Sequence, residues 1–187
     1  MRPPDAEALI SEESFEHEEF LPYWAELWAS AVALAHDVSI RSLRGKPTLE
    51  LGCGLGLPSI AAARAGGRVL ATDWSPDAIR ATAANAERND VTVETLRCAW
   101  GEPDAIVARA PWALVIASDV VYEHRNVDQL LELLPQLVDE RGLVLLADPG
   151  RAHTDGFLAR ASVDGWIIRS TASPRAPRVS IHRMRRG

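Results

Sequence analysis

The stretch Glu50-Leu51-Gly52-Cys53-Gly54-Leu55-Gly56 places glycine at every second position behind a short apolar run. Glycine lets a backbone turn sharply and approach a ligand closely. A helix starting just after it would add free N–H groups and a positive dipole end. The spacing narrows the chemistry. Position 57 is leucine, so the run does not meet the G-x-G-x-x-G of a dinucleotide site, and no G-K-[ST] follows to make a phosphate-binding P-loop. Asp73 lies about 20 residues beyond Gly52, at the end of a second apolar run. There a carboxylate can accept both hydroxyls of an adenosine ribose, as a nucleoside cofactor such as S-adenosylmethionine (SAM) or NAD would require. Trp100-Gly101 could flank an adenine ring, and Ser118-Asp119 would face the same crevice. Each residue also has a plainer reading. The glycines could form a turn with no ligand, Asp73 could cap the turn before Ser75-Pro76, and Trp100 could be core.

These residues are useful only if the chain brings them to one edge. Thr48–Leu51 reads as a short buried strand and Pro58–Ala65 as a helix stopped by Gly66-Gly67. Arg68–Thr72 is a second strand. Ser75–Asn89 is a helix with Ser75 as N-cap, Pro76 at its first position and Asp77 in its first turn. Val91–Leu96 and Ala113–Ser118 are strands, Val127–Val138 a helix, Gly142–Ala147 a strand and Thr154–Ser162 a helix. Trp166–Ser170 and Arg178–Arg183 read as a closing antiparallel pair. Upstream, Tyr23–Val38 is apolar at helical spacing, with Leu27, Ala31, Leu34 and Val38 on one stripe. The β-α alternation predicts a doubly wound α/β fold, its mostly parallel sheet covered by helices on both faces. Ligands of such sheets sit at the carboxyl ends of the strands, near the switch in strand order. The loops after the first four strands are therefore where chemistry is expected.

Bulk properties set limits. The 187 residues suit one domain, with 1–43 as a helical preamble and 44–187 as the α/β core. A net charge of −6 lacks the basic footprint of a general nucleic-acid binder and could attract a basic partner such as a lysine-bearing protein. Cys53 and Cys98 form no C-x-x-C pair, and the histidines lack ligand spacing, so no metal or disulfide framework is expected. With no apolar leader and no long apolar span, a cytoplasmic protein is expected, without membrane contact and as a monomer. The acidic run around Phe15 and Phe20 reads as a solvated helix, and Arg183, Arg185 and Arg186 as a charged tail past the last strand.

The G-x-G-x-G run behind Glu50 resembles the first motif of class I SAM-dependent methyltransferases. With Tyr23-Trp24-Ala25-Glu26-Leu27-Trp28-Ala29-Ser30, Leu70-Ala71-Thr72-Asp73, Trp100-Gly101 and above all Asp119-Val120-Val121-Tyr122, the chain resembles methyltransferase family 16, the seven-β-strand protein lysine methyltransferases. Asp148-Pro149-Gly150-Arg151 looks like the D-P-G-R of the branch that acts on the electron transfer flavoprotein β subunit, and of its bacterial relatives. The resemblance implies seven strands and SAM as cofactor. Its contacts would come from Trp28, Glu50, Gly52, Cys53, Gly54, Gly56, Asp73, Trp74, Trp100 and Ser118. It also implies that Asp119 and Tyr122 shape the opening where methyl group meets acceptor. Asp119 is expected to orient an acceptor amine, and Tyr122 to pack or hydrogen-bond beside the transfer path. Their plainer readings are a cap and a core residue. The expected acceptor is a protein lysine. Alternatives are a small nitrogenous, nicotinamide-like molecule, a non-catalytic SAM-binding protein and a nicotinamide-dependent oxidoreductase.

Overall fold

The computed structural model describes residues 23–187. A 3-10 turn, Tyr23–Ala25, leads into α1 (Ala29–Ser39). The chain then alternates β1 (Pro47–Leu51), α2 (Leu57–Arg64), β2 (Arg68–Asp73), α3 (Pro76–Arg88) and β3 (Glu94–Arg97). A short α4 (Asp104–Val107) precedes β4 (Leu114–Ser118), α5 (His124–Leu137), β5 (Leu143–Asp148) and α6 (Thr154–Val163). The chain ends in β6 (Trp166–Ala172) and β7 (Ser180–Arg186).

The sheet order is β3-β2-β1-β4-β5-β7-β6. The first five strands in that order pair in parallel, whereas β7 pairs antiparallel with both β5 and β6. Side chains alternate across a strand, and β4 shows the consequence. Leu114 and Ile116 join a core with α1 and α2, while Val115 and Ala117 join the larger core with α4, α5 and α6. On α5, Val127, Leu130, Leu133, Leu134 and Leu137 recur at helical spacing and are all buried. Truncating Leu130 to alanine would cost about 2–5 kcal/mol. Strand order reverses at β1, between β2 and β4, so the loops after β1 and β4 splay apart and open a cleft.

Several expectations are corrected. The Tyr23–Val38 helix begins only at Ala29. Before it, the Trp28 indole N–H donates to the Tyr23 carbonyl at 2.9 Å, which folds the segment back on itself. Leu27 is 49% exposed, so the buried stripe is Ser30, Ala33, Leu34 and Val38. The third strand starts at Glu94 rather than Val91. Asp90 is left-handed at φ 55°, and the Val91 N–H turns back to the Ala86 carbonyl at 3.2 Å. Arg183, Arg185 and Arg186 are not a tail but part of β7, opposite Arg169, Ile167 and Trp166. The acidic run around Phe15 and Phe20 lies outside the described residues.

Candidate active site

The glycine loop is built by backbone strain that only glycine relieves cheaply. Gly52, Gly54 and Gly56 take φ of +69°, +51° and +78°. Space is as tight as torsion. A Cβ on Gly52 would lie 3.1 Å from the Val120 side chain, and one on Gly54 would lie 3.1 Å from the Trp24 carbonyl. On Gly56 it would meet the Thr82 side chain at 2.7 Å. The loop is thus pressed between the β4 loop, the segment before α1, and α3. Thr82 also donates to the Gly54 carbonyl at 2.9 Å, and the Asn85 amide to the Leu55 carbonyl at 2.9 Å.

Asp73 ends β2 beside this loop. One oxygen accepts the Gly54 N–H at 3.0 Å and the other the Ser75 N–H at 2.9 Å. Burial raises its pKa, and these backbone bonds, with one from Trp74, oppose the rise. Asp73 lines a cavity of about 600 Å³, within the range typical of small-molecule sites. The cavity wall includes Trp28, Gly52, Cys53, Gly54, Gly56, Asp73, Trp74, Trp100, Ser118, Asp119 and Tyr122. A glycine cradle, a strand-end carboxylate and flanking indoles in one cleft fit an adenosyl group.

One expected contact is elsewhere. Glu50 is fully buried behind the loop and does not line the cavity. Its carboxylate accepts the Ser59 N–H at 2.9 Å and also the Ser59 hydroxyl, tying β1 to the first turn of α2. Burial pushes its pKa up to about 8, against the lowering effect of the Ser59 bonds. Cys53 is also buried and its thiol pushed well up, mainly by burial, so it does not offer a thiolate nucleophile.

The β4 end of the cavity holds the reactive candidates. Asp119 is left-handed at φ 59°, with its N–H donating to the Ala147 carbonyl at 2.9 Å. Arg151 donates to Asp119 at 2.7 Å, and the Ser30 hydroxyl donates at 3.4 Å. The Arg151 guanidinium lies 5.5 Å from the centre of the Trp28 ring. Tyr122 packs against Tyr23, with ring centres 5.9 Å apart, and burial raises its pKa. Arg151, Ser30, Tyr23 and Thr82 carried no assigned role in the sequence. The D-P-G-R run is the available signal for Arg151, and the Tyr23–Ser30 run for Tyr23 and Ser30; Thr82 has no local pattern.

The strand order and glycine-loop cleft define the seven-stranded, Rossmann-like methyltransferase fold. The chain belongs to the lysine methyltransferase family, whose model matches residues 17–161. It is 34% identical to the electron transfer flavoprotein β subunit lysine methyltransferase of Xenopus laevis, over 71% of this chain and 54% of that protein. It is 27% identical to the histone-arginine methyltransferase METTL23 of Homo sapiens, over 79% of this chain and 81% of that one. A methyltransferase structure from Pyrococcus furiosus superposes with a TM-score of 0.67 at 15% identity, covering 83% of this chain and 81% of that one. The chain spans about half the length of the flavoprotein-directed relatives it matches.

Proposed function

We propose that this chain is a SAM-dependent N-methyltransferase acting on a lysine side chain of a protein. The observation that carries the reading is the meeting of the glycine loop and Asp73 with Asp119 and Tyr122 around one cavity. Relatives named as protein lysine or histone-arginine methyltransferases favour a protein acceptor over a small pyridine.

In this reading Gly52, Cys53 and Gly54 approach the cofactor with their backbone, and Asp73 accepts the ribose hydroxyls. Trp100 and Trp74 flank the adenine, and Trp28 and Ser118 complete the wall. Glu50 contributes from behind, by fixing α2 against the loop. When bound, SAM supplies an activated methyl group on a sulfonium. The protein therefore supplies position and electrostatics rather than a nucleophile. An acceptor nitrogen with a free lone pair, held by Asp119 and confined by Tyr122 and Tyr23, would be aligned for in-line displacement. The reading extends to a cytoplasmic monomer that does not act on nucleic acid; the net charge of −6 supports the last point.

The test is transfer of tritium from methyl-labelled SAM to purified electron transfer flavoprotein β subunit, followed by amino-acid analysis. Labelled methyl-lysine supports the reading. Label in methyl-arginine would favour the second reading, a protein arginine acceptor, which the fuller coverage of the histone-arginine relative supports. No protein label from an active, folded sample would remove both.

A further inference from the structure

Asp119 does not meet an incoming amine as an isolated charge. Its Oδ1 accepts the Arg151 Nε–H at 2.7 Å and its Oδ2 the Ser30 hydroxyl at 3.4 Å. Both partners of the ion pair are fixed from below. The Asp119 backbone is pinned to Ala147 at the end of β5. Asp148 accepts the N–H groups of Gly150 and Arg151 at 2.7 and 2.8 Å, which sets the loop that carries Arg151. The guanidinium is further held over the Trp28 ring. A carboxylate offers about four lone-pair positions, so Asp119 can still accept a hydrogen bond from the cavity side. Its charge, however, is already balanced. An ammonium brought to Asp119 would sit beside a guanidinium, and a like charge that close disfavours the protonated form.

We propose that Arg151 is a positioning residue that makes Asp119 a charge-balanced hydrogen-bond acceptor, selecting the uncharged amine of the acceptor side chain over its ammonium. The inference rests on the methyltransferase reading above. The acceptor gives its proton to bulk water before it enters. One remaining N–H donates to Asp119, and the freed lone pair forms the new N–C bond as the S–C bond breaks and its electrons pass to sulfur. The other ionisable groups facing this corner include Asp148, Tyr23 and Tyr122, with Glu26, Asp73 and the Glu123–Arg125 ion pair on the cavity wall. All of them remain when Arg151 alone is changed, so a change in charge preference reports on Arg151.

The experiment uses the full chain loaded with S-adenosylhomocysteine at neutral pH and two probes, titrated by NMR. N-acetyl-lysine methylamide carries an ammonium; N-acetyl-ε-hydroxynorleucine methylamide is its neutral isostere. The wild type should bind the neutral probe at least as tightly as the ammonium. Arg151→Gln should move the affinity ratio toward the ammonium by about tenfold or more, since an uncompensated carboxylate favours the cation. Arg151→Lys should keep the wild-type ratio. An unchanged ratio in Arg151→Gln, or equal weakening of both probes in both variants, overturns the proposal. So does failure of the wild type to bind either probe. Normal S-adenosylhomocysteine affinity in those cases leaves the methyltransferase reading standing; its absence in the wild type brings down both.

Discussion

The Glu50 carboxylate holds the first turn of α2 through Ser59, accepting its backbone N–H at 2.9 Å and its hydroxyl as well. The second oxygen of Glu50 is buried without a partner among the described residues. An ionised carboxylate in that position is disfavoured, which is why burial pushes the pKa up to about 8. The folded state therefore holds this proton more tightly than the unfolded chain, whose value is near 4.5. Protonated Glu50 contributes stability that is fully present below about pH 4.5 and lost as pH rises through about 8. Glu50→Gln stays neutral throughout. The melting temperature of the wild type relative to Glu50→Gln should fall between those pH values, with about 5 kcal/mol as an upper bound on the change. Parallel pH profiles of the two proteins in thermal unfolding would show that folding leaves the Glu50 pKa unshifted.

Gly56 faces Thr82 so closely that a Cβ would lie 2.7 Å from its side chain, at a φ of +78°. Gly56→Ala combines a left-handed strain with a clash, and should cost about 3 kcal/mol in urea unfolding. It should also weaken S-adenosylhomocysteine binding. Gly45 has a similar φ of +68° with nothing within 4 Å of its Cβ position. Gly45→Ala should cost only about 1–2 kcal/mol, from strain alone, and leave ligand affinity unchanged.

Asp73 shares its oxygens between the loop amides of Gly54 and Ser75 and the cavity. Asp73→Ala should lower S-adenosylhomocysteine affinity about tenfold or more, because hydrogen bonds to a charged group are lost. Asp73→Asn keeps one acceptor oxygen and should lose less. Calorimetric titration of both variants measures this; an unmoved affinity would remove Asp73 from ligand binding.

Asp119 and Tyr122 line the same cavity from the loop after β4. Asp119→Asn should reduce methyl transfer to the acceptor about 100-fold, on the scale of a misplaced reactant, while S-adenosylhomocysteine binds nearly as before. Tyr122→Phe removes the hydroxyl but keeps the ring against Tyr23, and should have the smaller effect. Single-turnover rates with labelled SAM measure both.

What was legible in the sequence was chemistry that acts over a few residues. The Ser75-Pro76 start of α3 and the glycine turn after β1 both follow from nearest neighbours, and the structure has them. The role of Glu50 was not legible. Its side-chain direction is decided by Ser59, across a turn that hides it from the cavity. Arg151 and Asp119 are 32 residues apart and meet only because β4 and β5 pair in register. The segment before α1 has helical spacing, but the Trp28–Tyr23 bond folds it into the cavity wall instead. The three C-terminal arginines read as a tail because charge suggests solvent, yet alternation across β7 sets a half-buried Arg183 and an exposed Arg185 on either side of a fully buried Met184.

The central claim is that the cleft lined by the glycine loop holds SAM, and calorimetric titration with S-adenosylhomocysteine, with NAD as control, tests it most directly. Micromolar affinity for S-adenosylhomocysteine and none for NAD is the result expected. A folded protein that binds neither would make Gly52, Gly54 and Gly56 a structural turn and contradict the account.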